Sequence, residues 1–199
     1  SDWITPKTFY QRTMAAGGTS PRIAVRLGLI YSKEGDYEKA EKIYRRVLEL
    51  WPDYPVARNN LADVLELRGK RAEAEVIFAA ATSQAGEQRK EYPHTWAAAL
   101  NLARLRHLDH DDQDALAILE RAHTDYPQIW EIVRFEAELL RESKGPEAAL
   151  HLIVEFTQEN WWHHDANVSL GRLLWEENKV ADAMDTFRFA SWLDIREVE

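Results

Sequence analysis

Small and large apolar residues recur along the chain in a fixed order, with polar residues at helical spacing between them. In the segment LGLIYSKEGDYEKAEKIYRRVLELWP the order is Leu27, Gly28 and Tyr31, and after a Gly-Asp turn it continues with Ala40 and Tyr44. Two antiparallel helices approach closely only where small residues lie at the contact, and large residues fill the space beside it. The order therefore predicts two packed helices joined by a tight turn.

The same order returns in four further copies. In register they contain Leu61, Ala62, Leu65, Gly69, Ala74 and Phe78; Leu102, Ala103, Ala115, Leu119 and Ala122; Ala137, Leu140, Ala149 and Ile153; and Leu170, Gly171, Leu174, Ala183, Phe187 and Ala190. Pro93 and Pro127 lie 34 positions apart, whereas Pro52 and Pro93 lie 41 apart. The second copy therefore has seven extra residues, which we expect around TSQAGEQRKEY as an extension of its second helix.

The first copy resembles the tetratricopeptide repeat, a helix-turn-helix unit of about 34 residues. The segment from Leu27 to Pro52 matches the pattern L-G-x-x-Y, then A-x-x-x-F/Y, then a closing proline, although Ala24 stands where a tryptophan often opens the motif. The resemblance implies an all-α, right-handed α-solenoid that acts as a protein–protein interaction scaffold and needs no cofactor. It divides the chain into a capping helix, 1–20, and repeats at 21–54, 55–95, 96–129, 130–163 and 164–197.

Composition narrows the class of partner. The 199 residues include 34 acidic and 25 basic side chains, a formal net charge of -9. A field of that sign repels polyphosphate, so we expect no nucleic-acid partner. The lack of cysteine excludes disulfides and thiolate metal sites, and it fits the cytosol and the bacterial periplasm equally. Since no apolar run approaches the roughly 18 residues of a membrane span, we expect no direct membrane insertion by this chain.

Candidate catalytic and metal sites find little support. No G-x-S-x-G, glycine-rich phosphate loop or H-E-x-x-H occurs, so the sequence predicts no enzyme. His163 and His164 are adjacent, and neighbouring helical positions diverge by about 100°, so both cannot face one metal ion. The stretch HLDHDDQD lacks the central glycine and final glutamate of a calcium loop. We expect Asp111, Asp112 and Asp114 to cap a helix and compensate its dipole instead.

One face of each first helix does not contact the paired helix, and the residues on that face recur at positions i, i+4 and i+7. In tetratricopeptide arrays this stripe lines a concave groove, so the resemblance implies a site for a peptide or partner protein. The peptide-binding residues would be Arg22, Val25, Leu29, Asn59, Asp63, Glu66, Arg104, His107, Arg134, Glu138, Arg141, Arg172 and Trp175.

The arginines of this stripe gather in the C-terminal half of an acidic chain. One hypothesis is that they receive an acidic or carboxylate-bearing peptide through bidentate pairing. The alternative is that they form salt bridges within the groove, with Glu138 and Glu66 as the partners.

Aromatic residues mark each junction between copies, in WPDYP (51–55), YPHTW (92–96), YPQIW (126–130) and NWWHH (160–164). We expect these aromatics, including Trp161, to wedge between successive helix pairs.

The two ends of the array require cover. Thr5 and Pro6 predict the start of a lone N-terminal helix, whose Phe9, Tyr10 and Met14 would cover the first repeat. At the other end, either Trp192 and Ile195 fold over the last helix or a second chain does. A monomer and a weak homodimer through the C-terminal helix both stay open.

The leading segment has a second resemblance, to the soluble tail of bacterial O-mannosyltransferase-like membrane proteins. Trp3, Thr8, Phe9, Tyr10 and Thr13 carry it, in the pattern W-x-x-x-x-T-F-Y-x-x-T. It implies an alternative function, a non-catalytic accessory domain of a membrane-bound glycosyltransferase-type protein. The compartment stays open: the cytoplasm is the default expectation, and this resemblance implies an extracytoplasmic position.

Overall fold

The computed structural model describes residues 5–17, 20–88, 92 and 94–196. Within those ranges the chain forms eleven α-helices and no strand, which confirms the predicted all-α class. The helices are α1 (Pro6–Ala15), α2 (Pro21–Lys33), α3 (Tyr37–Leu50), α4 (Pro55–Leu67), α5 (Arg71–Gln88), α6 (Trp96–Leu108), α7 (Asp112–Asp125), α8 (Trp130–Lys144), α9 (Pro146–Glu159), α10 (His164–Glu176) and α11 (Val180–Arg196).

The chain divides into two compact units, Ser1–Leu102 and Ala103–Glu199, with the boundary inside α6. Within the units, α2 packs on α3, α4 on α5, α8 on α9 and α10 on α11. This pairing of consecutive helices is the helix-turn-helix arrangement that the repeat predicts. The repeat boundaries themselves stay a prediction, and positions 89–91 of the expected insertion lie outside the described residues.

Packing in the first unit depends on one very close helix contact. Gly28 of α2 faces the ring of Tyr44 on α3, a residue with no exposed surface. A Cβ at position 28 would lie 2.5 Å from Tyr44 Cε1, closer than real side chains approach. In the next pair, Ala62 of α4 and Phe78 of α5 are both fully buried. The predicted order of small and large residues thus becomes the helix–helix contact.

The second unit repeats this device. Gly171 of α10 faces Phe187 of α11, and a Cβ on Gly171 would lie 2.6 Å from Phe187 Cε1. Trp130, Val133 and Phe156 form part of the buried cluster between α8, α9 and α10. Both units are therefore built on glycine–aromatic contacts between paired helices.

The turns inside the helix pairs need one residue with positive φ. Gly35 supplies it before α3, at φ 80°. His110 does the same before α7, at φ 62°, and Asp111 follows as the cap, its carboxylate accepting a hydrogen bond from the Asp114 amide at 3.2 Å. The expected capping role of Asp111 is confirmed.

The N-terminal helix α1 packs on α2, and polar contacts join the two helices. Its cap Thr5 accepts a hydrogen bond from the Thr8 amide at 3.2 Å, and Gln11 Nε2 donates to the Tyr31 hydroxyl at 2.6 Å. Lys7 pairs with Glu34 of α2's C-terminus. Phe9, expected to cover the first repeat, is half-exposed instead, so the apolar cover is smaller than predicted.

Candidate functional site

Four of the predicted groove residues come together in the second unit. Helices α8, α9 and α10 enclose an open cavity of about 310 Å³, which we call the arginine groove. Its wall carries Arg134, Glu138, Arg141, Arg172 and Glu176. Beneath them lie Ala137, Ala149, Ile153, Ser169 and Leu173.

The charges of the arginine groove are only loosely neutralised by the protein itself. Arg134 Nη1 lies 2.5 Å from Glu138 Oε1, one helical turn away, and both side chains are about half-exposed. Arg141 Nη1 lies 3.6 Å from Glu176 Oε1. Exposed pairs of this kind contribute about 0–1 kcal/mol each, so a ligand carboxylate can replace either glutamate at small cost.

Arg172 differs from its two neighbours. It is exposed on α10, and no carboxylate among the described residues forms a salt bridge with it. Its guanidinium therefore presents its donors to the groove without an internal competitor. Of the two predicted arrangements, Arg134 adopts the internal salt bridge with Glu138, whereas Arg172 is left available.

Four of the ten residues that line the arginine groove were predicted from the sequence, and six were not. Glu176 lies one turn after Arg172 on α10, so the i, i+4 stripe could have found it. Ala149 and Ile153 come from α9, a second helix, and a stripe drawn along first helices cannot reveal the floor of a groove. Trp175, predicted on the stripe, is exposed but does not line the arginine groove.

The predicted residues of the first unit form a different surface. Asp63 accepts hydrogen bonds from Asn101 Nδ2 at 2.8 Å and from Asn59 Nδ2 at 3.3 Å. Asn59 also lines a cavity of about 220 Å³ with Pro55, Val56, Ala81 and Ala98 among its walls. This cavity, between α4, α5 and the start of α6, is mainly apolar with the amide groups of Asn59 and Asn60, and its described lining residues include no arginine.

Three predicted residues lie on α2. Arg22 and Leu29 are exposed, but Val25 is only 7% exposed, so its packing leaves little surface for a ligand. Glu66 of α4 is half-buried.

Of the two residues expected on α6, His107 is engaged within the second unit. His107 Nδ1 lies 2.6 Å from Asp112 Oδ1, and its ring meets the Phe135 ring edge-on at a centroid distance of 5.8 Å. Arg104 is exposed. His107 thus belongs to the turn before α7 more than to a ligand surface.

The segment ENWWHHDAN begins α10. His163 caps the helix, its Nδ1 accepting a hydrogen bond from the Ala166 amide at 3.3 Å, and its ring packs 5.5 Å from Trp130. The wedging expected of the junction aromatics is wrong for Trp161 and Trp162, which are 52% and 55% exposed. Their rings meet edge-on at 5.8 Å on the surface of the unit.

No group of three or more His, Cys, Asp or Glu side chains within the described ranges could hold a metal ion. None of the described helices combines the length and apolar character needed to span a membrane.

Comparison with known proteins agrees with the repeat. A family model described as tetratricopeptide repeat matches residues 31–92, while no curated protein matches the sequence significantly. Residues 31–92 therefore match the tetratricopeptide repeat, and the recognition of that repeat from the sequence is confirmed.

Solved structures agree on the fold. The tetratricopeptide protein YrrB, described as having an unusual peptide-binding site, is 16% identical with a TM-score of 0.55, over 92% of this chain and 91% of that one. PilF of Pseudomonas aeruginosa is 18% identical with a TM-score of 0.64, over 86% and 75%. Yeast Tom70 is 15% identical with a TM-score of 0.73; it covers 94% of this chain, which spans 39% of Tom70. At such identities the likeness establishes the tetratricopeptide fold alone.

Proposed function

We propose that this chain is a non-catalytic scaffold that holds an extended peptide of a partner protein in the groove formed by its first helices. The tetratricopeptide fold indicates a protein-interaction scaffold in general. The observation that carries the finer proposal is the arginine groove, where three guanidinium groups surround a concave surface with an apolar floor.

The chemistry of that groove favours an acidic segment. Three arginines face two glutamates there, and Arg172 has no internal salt bridge among the described residues. A guanidinium binds a carboxylate through two parallel hydrogen bonds, which adds direction to the charge attraction. Ala149 and Ile153 beneath them suit the aliphatic part of the same peptide. The chain as a whole is acidic, with a net charge of -9. The preference for an anion is therefore a property of this groove and not of the whole chain.

The groove walls are helical and already packed, so the receptor loses little conformational entropy when a peptide binds. The solved YrrB structure is described as having a peptide-binding site, which supports a peptide as the ligand class here.

The test uses the full chain and a fluorescein-labelled peptide of alternating glutamate and leucine, with a lysine–leucine peptide as the opposite-charge probe. We expect anisotropy titrations to give saturable binding of the first peptide only, weakened by added salt. Arg172→Glu should raise Kd about tenfold or more, because a hydrogen bond to a charged group is worth about 1.5–3 kcal/mol.

The matched control is Arg121→Glu, an exposed arginine of α7 in the same unit, which should bind like the wild type. Equal Kd values for wild type and Arg172→Glu would remove the acidic peptide from the proposal. Absence of binding for both peptides would count against this groove as a peptide site.

The accessory-domain alternative rests on the resemblance of the leading segment, of which Trp3 lies outside the described residues. The described structure offers no observation that favours it over a free-standing scaffold. Genomic sequence upstream of Trp3 tests it directly: several hydrophobic spans would support it, and a start codon immediately upstream would contradict it.

A further inference from the structure

The outer face of α11 is exposed and combines apolar residues with one pair of opposite charges. Ala183, Ala190 and Leu193 on the opposite side of the helix are buried in the second unit. Val180, Met184 and Trp192 are 43%, 44% and 41% exposed. A helix turns about 100° per residue, so Ala181, Met184, Arg188 and Trp192 follow one another along this outer face. An amphipathic surface helix normally turns charged residues outward, but this one also exposes Met184 and Trp192.

The apolar surface continues beyond the helix. Phe189 stacks on Trp192, with ring centroids 5.7 Å apart, and also lies 6.4 Å from the half-exposed Trp161. Contiguous exposed apolar surface of this kind marks interaction sites in soluble proteins, and tryptophan is enriched among the residues that dominate binding energy.

The charges at the centre of the face indicate which partner fits. Asp185 and Arg188 lie one turn apart, and both side chains are 74% exposed. They form a local pair, with Arg188 Nη1 2.9 Å from Asp185 Oδ1. A twofold axis that lies against this face, perpendicular to the helix and level with the midpoint between them, would bring Asp185 of one copy opposite Arg188 of a second copy, and the reverse.

The same axis matches the apolar residues by size. In an antiparallel pairing about it, Trp192 of one copy faces Ala181 of the second copy, so the largest side chain of the face meets the smallest. Met184 then packs beside the aliphatic stem of the second copy's Arg188, which can be covered while its head group stays hydrated. A twofold interface requires one patch to complement itself, and this face does so in both charge and shape.

We propose that the outer face of α11 binds a second copy of this chain in an antiparallel, twofold arrangement centred between Asp185 and Arg188. The dimer is independent of the peptide groove, since Ala181, Asp185 and Arg188 do not line it.

Charge exchange tests the register. Sedimentation velocity of the full chain from micromolar to hundred-micromolar concentration should show a reversible monomer–dimer equilibrium. Asp185→Arg and Arg188→Asp should each weaken it about tenfold or more, because each creates two like-charge contacts in place of two attractive ones. The double variant, and an equimolar mixture of the two single variants, should regain the wild-type Kd, since both restore opposite charges across the axis.

Lys42→Glu on α3 is the matched control, a reversal of an exposed paired charge in the first unit, and should leave the dimer unchanged. Far-ultraviolet circular dichroism checks that every variant is folded. A wild-type chain that stays monomeric at all concentrations overturns the proposal. So does a dimer that ignores the single reversals, or one that the double variant fails to restore.

Discussion

The two units share one packing device and differ in the buried charge that joins their helix pairs. Gly28 faces Tyr44 in the first unit and Gly171 faces Phe187 in the second, at nearly the same distance. In the first unit, Glu41 of α3 pairs with permanent cations from the end of α4. In the second, Glu136 of α8 pairs with a histidine of α7. Contacts between paired helices thus follow the repeat, whereas the charges between successive pairs are free to differ.

Glu41 is only 6% exposed, and three cations hold its carboxylate. Arg45 Nε lies 2.9 Å from Oε1, Lys70 Nζ lies 3.0 Å from Oε1, and Arg68 bonds Oε2. Burial by itself raises the pKa of Glu41, but the hydrogen bonds from Lys70, Arg45 and Arg68 outweigh it and lower the pKa to about 2. The group therefore stays ionised at any physiological pH.

Glu136 is equally buried, at 5%, but its partner can lose its charge. His123 Nδ1 lies 3.0 Å from Glu136 Oε2. The hydrogen bond to Glu136 raises the pKa of His123 above 6.5, against the opposing effect of burial, and the charge of Glu155 adds to the rise. We infer that the pairing of Glu136 with His123 depends on pH above 6.5, whereas the pairing of Glu41 does not.

The largest loss of stability should come from changing the glycine–aromatic contact, which each unit contains once. Gly28→Val and Gly171→Val each introduce a side chain that would lie too close to the facing aromatic ring. Each should destabilise its own unit by about 3 kcal/mol, measured by urea unfolding. The control, Ala117→Val at an exposed position of α7, should cost only a few tenths of a kcal/mol. Tolerance of valine at one glycine and not the other would show that the two contacts are not equivalent.

A smaller effect separates the charge pairs. Glu41→Ala removes the common acceptor of three cations and should cost about 2 kcal/mol, since those cations remain partly hydrated. Hydrogen exchange should accelerate at α3 and α4 and stay unchanged in α8 and α9. Glu38→Ala, on the same helix but with an exposed carboxylate, should change stability by less than about 0.5 kcal/mol. Equal losses in these two variants would contradict the role of Glu41.

The smallest effect is a pH dependence. Because the pKa of His123 is higher in the folded chain than its usual 6.5, its contribution to stability is fully present below 6.5 and is lost as pH rises through the folded pKa. The contribution of Glu41 behaves oppositely, present above about 4.5 and lost as pH falls toward about 2. Hydrogen exchange of α7 and α8 should therefore accelerate as pH rises above 6.5 and through the folded pKa of His123, after correction for intrinsic exchange. His123→Leu should abolish that trend, and its persistence in the variant would refute the assignment.

The same contrast appears in the candidate ligand surfaces. The cavity of the first unit is apolar with amide groups, while the arginine groove presents three guanidinium groups. Both surfaces are built on the faces of first helices, so the two units share the same helical framework. The exposed side chains determine the chemistry of each surface.

The helix pairs could be predicted from sequence because their cause is local and periodic. In this repeat, a glycine or alanine at a fixed sequence spacing from an aromatic or branched residue marks a close helix contact. Asp111 directly follows the turn residue His110, and this position makes it the cap of α7. The stripe on first helices likewise placed Arg134 and Arg141 on one face of α8, because residues seven apart share a helix face. The repeat resemblance placed Arg172 of α10 on the same surface.

Exposure and partners depend on residues distant in sequence, so they required the folded chain. Val25 is covered by its neighbours, Trp161 and Trp162 are not, and Ile153 reaches the groove from a second helix. Periodicity specifies the direction of a side chain on its own helix but not what lies opposite it. Helix pairing was thus determined by the order of small and large residues, whereas the floor of the arginine groove and the exposed face of α11 arose from how successive pairs stack.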